Sequence, residues 1–279
     1  MYRKVFANKV FDRKVVLITG GCAGIGRALV LRMAQAGARL VIFDLDRASL
    51  DSLVQHLQDH LNCEALGLEC DVADAAAVER AMALVVERFG GIDVLVNNAG
   101  ITHRSRFIDT EVAVFQRIMA VNYFGALHCT HAALPSLLER RGQVIVLSSL
   151  SGFAPLLYRS AYSASKHALH GLFETLRAEH RDAGLGVMLV CPGFTATDLR
   201  KNALVGDGSI QAQPTLTLGK VASPQDVAEA IFQAALRRQR LLVLSNVDWR
   251  ARLLARVFPA LFEKLLPRLS GVKPPVAGD

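Results

Sequence analysis

Residues 15–19, Val-Val-Leu-Ile-Thr, run directly into Gly20-Gly21-Cys22-Ala23-Gly24-Ile25-Gly26. A short apolar run rich in β-branched side chains reads as a strand buried on both faces, the kind found in parallel sheets. Helix-period apolar residues follow over 25–36 and stop at Gly37. Strand, glycine turn and helix in that order form the first half of a dinucleotide-binding unit. The glycines let the backbone approach a pyrophosphate, and the helix N-terminus meets it with unpaired N–H groups and a positive dipole end. The plainer alternative is a tight turn without a ligand. Parallel strands need long crossovers, so a chain that starts this way is expected to alternate strands with helices.

That alternation is visible. Apolar runs at 39–43, 65–70, 93–96, 143–147, 187–191 and 240–244 read as further strands. Asp74 is placed to cap a helix that runs to about residue 89 and is closed by Gly90 and Gly91, and Ser223-Pro224 opens a later helix. A long helical pattern covers 110–138 and contains Asn122, which as a buried amide would need backbone partners. The expected architecture is a Rossmann-type α/β three-layer sandwich, with ligands bound at the carboxyl ends of the strands. Asp44 ends the second strand, twenty-four residues after Gly20. A carboxylate there accepts hydrogen bonds from both ribose hydroxyls and repels a 2′-phosphate, so NAD is preferred over NADP. Arg47 is the one residue nearby that complicates this preference.

Tyr162 and Lys166 are four residues apart in Tyr-Ser-Ala-Ser-Lys-His. On a helix they project from one face, which sets an ammonium beside a phenol. Lowering a phenol from pKa about 10 to about 7 takes roughly 4 kcal/mol, and a fixed cation supplies much of that. Taken alone, the pair also reads as a half-buried aromatic and a solvated lysine. Its company matters: Asn97-Asn98-Ala99-Gly100, Asn122, Ser148-Ser149 thirteen residues before the tyrosine, and Pro192-Gly193 after it. Ser149 lacks a Gly-x-Ser-x-Gly elbow, which argues against a serine hydrolase. His56, His60, His128 and His131 read as surface helix residues, and no third ligand accompanies the last two, so no metal is expected.

From about Lys14 to Leu244 this ordered set resembles the short-chain dehydrogenase/reductase family, the type with Thr-Gly-x-x-x-Gly-x-Gly and Tyr-x-x-x-Lys motifs. The resemblance implies a seven-stranded parallel sheet in the order 3-2-1-4-5-6-7. It implies a catalytic set of Ser149, Tyr162, Lys166 and Asn122, with Ser149 favoured by the thirteen-residue interval and Ser148 and Ser151 as its alternatives, and gives Asn122 the task of disturbing its helix so that a main-chain carbonyl holds a water near Lys166. His167 and His170 lie outside the family pattern. The cofactor would be held by Gly20, Cys22, Ala23, Gly24, Ile25 and Gly26, by Asp44, and by Asp71 and Val72 at the adenine, where Asp71 is otherwise an ordinary turn carboxylate. Asn98, Ala99 and Gly100 would pack beside it, and Pro192, Gly193 and Thr195 would lie along the nicotinamide, with Tyr162 and Lys166 at its ribose. The implied reaction is hydride transfer between NAD(H) and a secondary alcohol or ketone. The alternatives are a 3-oxoacyl-thioester reductase using NADP(H), a non-catalytic NAD sensor and a membrane-surface protein. In the family the long helices 110–138 and 160–183 pack as a four-helix dimer interface, so the resemblance implies a homodimer or homotetramer.

Composition narrows the partners. Five scattered cysteines without paired spacing argue for a reduced, cytoplasmic setting and against a disulfide frame. No run approaches the roughly 20 apolar residues of a membrane span. The net charge is +7, but nine Lys/Arg against three acidic residues fall from Arg237 onward. The main domain is therefore near neutral, and nucleic acid is not an expected partner. The chain divides into one domain over 1–246, with a lid at about 197–222, and a basic amphipathic extension over 247–279. In 248–269, Trp249, Leu253, Val257, Leu261 and Leu265 recur every four residues beside a second apolar row, and Pro259 should kink the helix or divide it in two. This face would cover the substrate pocket or a subunit interface, or lie in a membrane surface as a peripheral contact. Each account favours a lipid-like or steroid-like substrate.

Overall fold

The computed structural model describes residues 10–197, 199, 202–210, 221–244 and 256–270. Seven strands form one parallel sheet: β1 Val15–Thr19, β2 Arg39–Asp44, β3 Ala65–Glu69, β4 Val94–Asn97, β5 Gln143–Leu147, β6 Gly186–Pro192 and β7 Leu241–Leu244. Their order is β3-β2-β1-β4-β5-β6-β7, as the family resemblance implies. The order reverses between β1, which pairs with β2, and β4, which also pairs with β1. That switch point opens a crevice at the carboxyl ends of the two central strands.

Helices cover both faces. On one lie α1 Gly24–Ala34, α2 Arg47–Leu61 and α7 Pro224–Leu236. On the other lie α3 Ala75–Phe89, α5 Gly125–Glu139 and α6 Ser160–Glu179. The short α4 Val112–Met119 precedes α5, and α8 Pro259–Ser270 ends the described chain. Every residue of β1 is buried because alternate side chains enter opposite cores: Val16 and Ile18 join one, Val15 and Leu17 the other. This explains why the strand reads as a continuous apolar run.

Caps appear where the sequence puts them. Asp74 accepts the N–H groups of Ala76 and Ala77, Gly90 ends α3 at φ +70°, and Ser223 accepts Asp226 N–H before Pro224. At the opposite end of the sheet from the crevice, Asp93 is 7% exposed and ties β1 to β4. It accepts Val15 N–H at 2.9 Å, Lys14 Nζ at 2.9 Å and Arg140 at 3.2 Å.

The structure alters several expectations. The 110–138 helix is interrupted: a π turn, Ala120–Phe124, separates α4 from α5 and contains Asn122. The helix expected over 160–183 ends at Glu179. His128 is half-buried and bonds Val72 O at 3.0 Å through Nδ1, because a π turn shifts the face that α5 presents to the sheet. Pro259 does divide the C-terminal segment: residues 256–257 are helical, Phe258 is not, and α8 starts at the proline. Residues 248–255 and the side chains of 266–269 lie outside the described residues, as do 198, 200–201 and 211–220 of the lid. Among the described residues no helix is long and apolar enough to cross a membrane, and no cluster of metal-ligating side chains occurs.

Candidate active site

The glycine turn is shaped by close backbone approach. Gly20 has φ +62°, a conformation that L side chains avoid. A Cβ on Gly26 would strike Gly20 O and come within 2.5 Å of Asn98 Nδ2. Asn98 holds the turn from the neighbouring strand end: Nδ2 donates to Thr19 O and Gly20 O, each at 2.9 Å, while its N–H and that of Ala99 donate to Thr19 Oγ1 at 3.0 Å. The Asn-Asn-Ala-Gly segment thus fixes the loop that would cradle a pyrophosphate. Ala23 occupies the N-cap position of α1 in an extended conformation with no side-chain cap, so the helix start is open to an external acceptor. Ile25 is partly buried and packs on the core below.

Asp44 stands against this turn. Its Oδ2 accepts Cys22 N–H at 2.8 Å and its Oδ1 accepts Leu45 N–H at 2.8 Å. Oδ1 also accepts Asp46 N–H at 3.4 Å, and the Cys22 thiol bonds the same carboxylate, so the loop engages most of its roughly four acceptor positions. Burial, followed by the charge of Asp44, pushes the Cys22 thiol up to about 12, and it stays neutral beside the loop. Arg47 turns away: Nε pairs with Asp51 one helical turn on, at 3.0 Å. Asp71 makes a local turn by accepting Ala73 N–H at 2.9 Å, and Val72 is buried against Gly125. Beyond β6, Gly193 N–H bonds Leu244 O at 2.7 Å and Thr195 is bridged to Ala222. Thr197 then lies over Gly24, and a cavity of about 380 Å³ opens among Gly24, Arg27, Ala196, Thr197 and Gln225. The bare glycine cradle, the open helix N-terminus and the strand-end carboxylate all fit a dinucleotide.

The second half of the crevice is built by α6. Tyr162 and Lys166 are both buried, 9% and 5% exposed, one turn apart. Lys166 Nζ donates to Leu147 O at 2.7 Å and lies 5.7 Å from the Tyr162 ring centroid. Burial lowers its ammonium from 10.5 to about 8. A Cβ on Gly100 would sit 3.2 Å from Asn122 Oδ1 and 3.7 Å from Lys166 Nζ, so the bare glycine gives both groups room. The Asn122 amide is fully engaged: Oδ1 accepts Ile101 N–H at 2.8 Å, and Nδ2 donates to Ile101 O and Ser165 Oγ, each at 3.0 Å. It clamps the loop after β4 to α6, and the π turn around it breaks the regular ladder of helical bonds.

Of the three serines after β5, the structure separates their duties. Ser148 is buried, with Oγ 3.0 Å from His170 Nε2 and 3.4 Å from Lys166 O. Ser151 is buried as well. Ser149 caps the 3-10 turn Leu150–Gly152, accepting Ser151 N–H at 3.2 Å, which leaves its hydroxyl hydrogen to donate elsewhere. In the sequence, only the spacing of four from Lys166 marks His170.

A wall beside this site joins three loops. Leu204 N–H bonds Thr102 O, Arg104 N–H bonds Leu204 O, and Ser105 N–H bonds Tyr158 O. Arg159 donates to Thr102 Oγ1 at 2.6 Å. His103 is fully buried here, and neither ring nitrogen has a hydrogen-bond partner among the described residues. Burial, followed by the charge of Arg159, pushes it down to about 4, so it is neutral. At the rim, Phe107 and Ile108 are 73% and 83% exposed.

Residues 14–206 match the family described as short chain dehydrogenase. The chain is 34% identical over 263 residues to Dehydrogenase/reductase SDR family member 7B of Danio rerio, covering 91% of this chain and 84% of that protein. A short chain dehydrogenase/reductase from Burkholderia phymatum, solved in complex with NAD, superposes with a TM-score of 0.80 at 27% identity, over 90% of this chain and 95% of that one. An alcohol dehydrogenase from Thermococcus sibiricus, complexed with 5-hydroxy-NADP, gives 0.73 at 27% identity, over 83% and 95%.

Proposed function

The chain belongs to the short-chain dehydrogenase/reductase family and is an NAD(P)-dependent oxidoreductase acting on a small molecule; from that premise we propose that it transfers a hydride between NAD(H) and the carbon of a secondary alcohol or ketone. The observation that carries this reading is the meeting of two sets of residues at one end of the sheet. The glycine turn with Asp44 stands on one side of the switch point, and Tyr162, Lys166 and Ser149 stand on the other.

Bound nicotinamide supplies the hydride acceptor or donor. The protein supplies the proton and the orientation. Tyr162 takes the alcohol proton during oxidation, or donates it during reduction, through its phenolic oxygen. The desolvated Lys166 ammonium, held on Leu147 O, favours the phenolate, since a cation in a water-poor site acts more strongly than one in bulk solvent. Ser149 turns its remaining hydrogen toward the reacting oxygen. Asn122 and its π turn hold the loop at Ile101 and present a disturbed backbone to the water that would continue the proton path.

Asp44 supports NAD over NADP, because its carboxylate repels a 2′-phosphate, and Arg47 is drawn off by Asp51. Exposed Phe107 and Ile108, with buried Leu204, Val114 and Ile118 behind them, support an apolar, lipid-like or steroid-like substrate. The readout is initial rates with NAD and NADP over a panel of aliphatic, fatty, steroid and sugar alcohols, repeated with Tyr162→Phe. Turnover should fall at least a thousandfold in the variant while NADH binding persists. Near-normal turnover in Tyr162→Phe, or a tenfold wild-type preference for NADP, would overturn the corresponding assignment.

Two assembly features accompany the reading. Exposed Val112 and Phe124 on the α4–α5 segment favour self-association through that face, and a strictly monomeric mass by light scattering at micromolar concentration would refute it. Exposed Val257, Phe258 and Leu261 beside Arg256 and Lys264 favour contact with an anionic membrane surface. Failure to pellet with anionic vesicles would refute that.

A further inference from the structure

His170 lies one turn beyond Lys166 on α6 and reaches across to two strand ends and a turn. Its Nε2 is 3.0 Å from Ser148 Oγ and 3.8 Å from Cys191 Sγ, at the ends of β5 and β6. Nδ1 is 3.8 Å from Glu174 Oε1, and the ring meets Phe153 edge-on at 6.4 Å. The 3-10 turn is fitted around it: a Cβ on Gly152 would be 2.5 Å from Ser148 Oγ and 2.7 Å from His170 Nε2. Each neighbour adjoins a functional residue. Ser148 precedes Ser149, Gly152 ends the turn that Ser149 caps, and Cys191 precedes Pro192 and Gly193.

We infer that His170 is a positioning residue that sets the place of the Ser149 hydroxyl by holding Ser148 and the 150–152 turn. The inference rests on the hydride-transfer reading, in which Ser149 bonds the reacting oxygen. With its proton on Nδ1, facing the Glu174 carboxylate, His170 has Nε2 to accept from Ser148. The Ser148 hydroxyl is then drawn toward the imidazole, since 3.0 Å is a better bond than 3.4 Å to Lys166 O. Among the described residues the Ser149 side chain has one bond, to its own turn. Its side chain is therefore as well placed as the turn is, and the turn packs on His170. An error of about 1 Å in such a group is enough to cost about a hundredfold in rate.

The test compares His170→Leu, His170→Gln and Ser148→Ala in the full chain, using NADH with phenanthrenequinone as the reduction probe. Two readouts are independent of turnover: NADH fluorescence binding, and hydrogen exchange of the Ser151, Gly152 and Phe153 amides, whose bonds close the turn. In His170→Leu, kcat should fall at least tenfold with NADH affinity unchanged, and those amides should exchange at least tenfold faster. Glutamine places an amide near Nε2 and should restore kcat to within threefold. Ser148→Ala, which removes only a hydroxyl and keeps the fold, should reproduce the loss. Wild-type kcat in either His170→Leu or Ser148→Ala would overturn the inference. So would joint loss of activity and NADH binding without rescue by glutamine. If the wild type reduces no probe, the hydride-transfer reading fails by itself, and unchanged exchange in His170→Leu still overturns the positioning.

Discussion

Lys166 is a buried cation whose cost to the fold is readable as a pH dependence. It is 5% exposed, and burial lowers its ammonium from 10.5 to about 8, with Cys191 acting the other way. At about 1.36 kcal/mol per pH unit, that gap corresponds to about 3 kcal/mol of destabilisation at neutral pH. The sign follows from proton counting. Between pH 8 and pH 10.5 the unfolded lysine holds its proton and the folded one has released it, so stability rises with pH through that window. Below about pH 8 both states are protonated and the penalty is fully present. Lys166→Met removes the titration while keeping a side chain of similar length. Urea unfolding of both proteins without cofactor, from pH 7 to pH 10, isolates the lysine because the other groups cancel in the difference. Wild-type stability minus variant stability should change little up to pH 8, then rise by about 2 kcal/mol by pH 10. A difference flat to within about 0.5 kcal/mol across the range would refute the argument that desolvation sets this lysine's protonation.

Two further predictions test the frame around the site. Gly26→Ala places a methyl group against Gly20 O and Asn98 Nδ2, so NADH affinity should fall at least tenfold in a fluorescence titration, with about 1–3 kcal/mol of stability lost to overpacking. Asp93→Ala removes the shared partner of Lys14, Val15 N–H and Arg140 and should cost about 3 kcal/mol in urea unfolding at neutral pH. Burial raises the Asp93 carboxyl, but the Val15 bond, Lys14 and Arg140 outweigh it and hold it below the ordinary range. Its contribution is thus complete above the unfolded carboxylate pKa of about 3.9 and is lost as pH falls through the lower folded value. Equal acid-unfolding midpoints for wild type and variant would contradict this.

Much of the cofactor side was legible without coordinates, because its signals are local. A buried strand, a turn that only glycine fits and a helix start occupy consecutive residues, and Asp44 is marked by where its own strand ends. The strand order and the Tyr162–Lys166 pair were legible only through family resemblance, since either motif alone also suits an inert turn or an ordinary helix face. Other features required the folded chain. Asp93 reads as the first residue of a strand, yet it gathers Lys14, Val15 and Arg140 from 47 to 79 residues away. Asn122 reads as an amide in a helix; the fold makes it a clamp on Ile101 and Ser165 and winds a π turn around it. His128 reads as a surface residue until that turn brings it to Val72 O, and His170 is marked only by its spacing of four from Lys166. Local propensity and pattern decide which segments become strands, turns and helices. Which polar side chains meet across them depends on strand order and register, which are set when the two apolar cores close on the sheet.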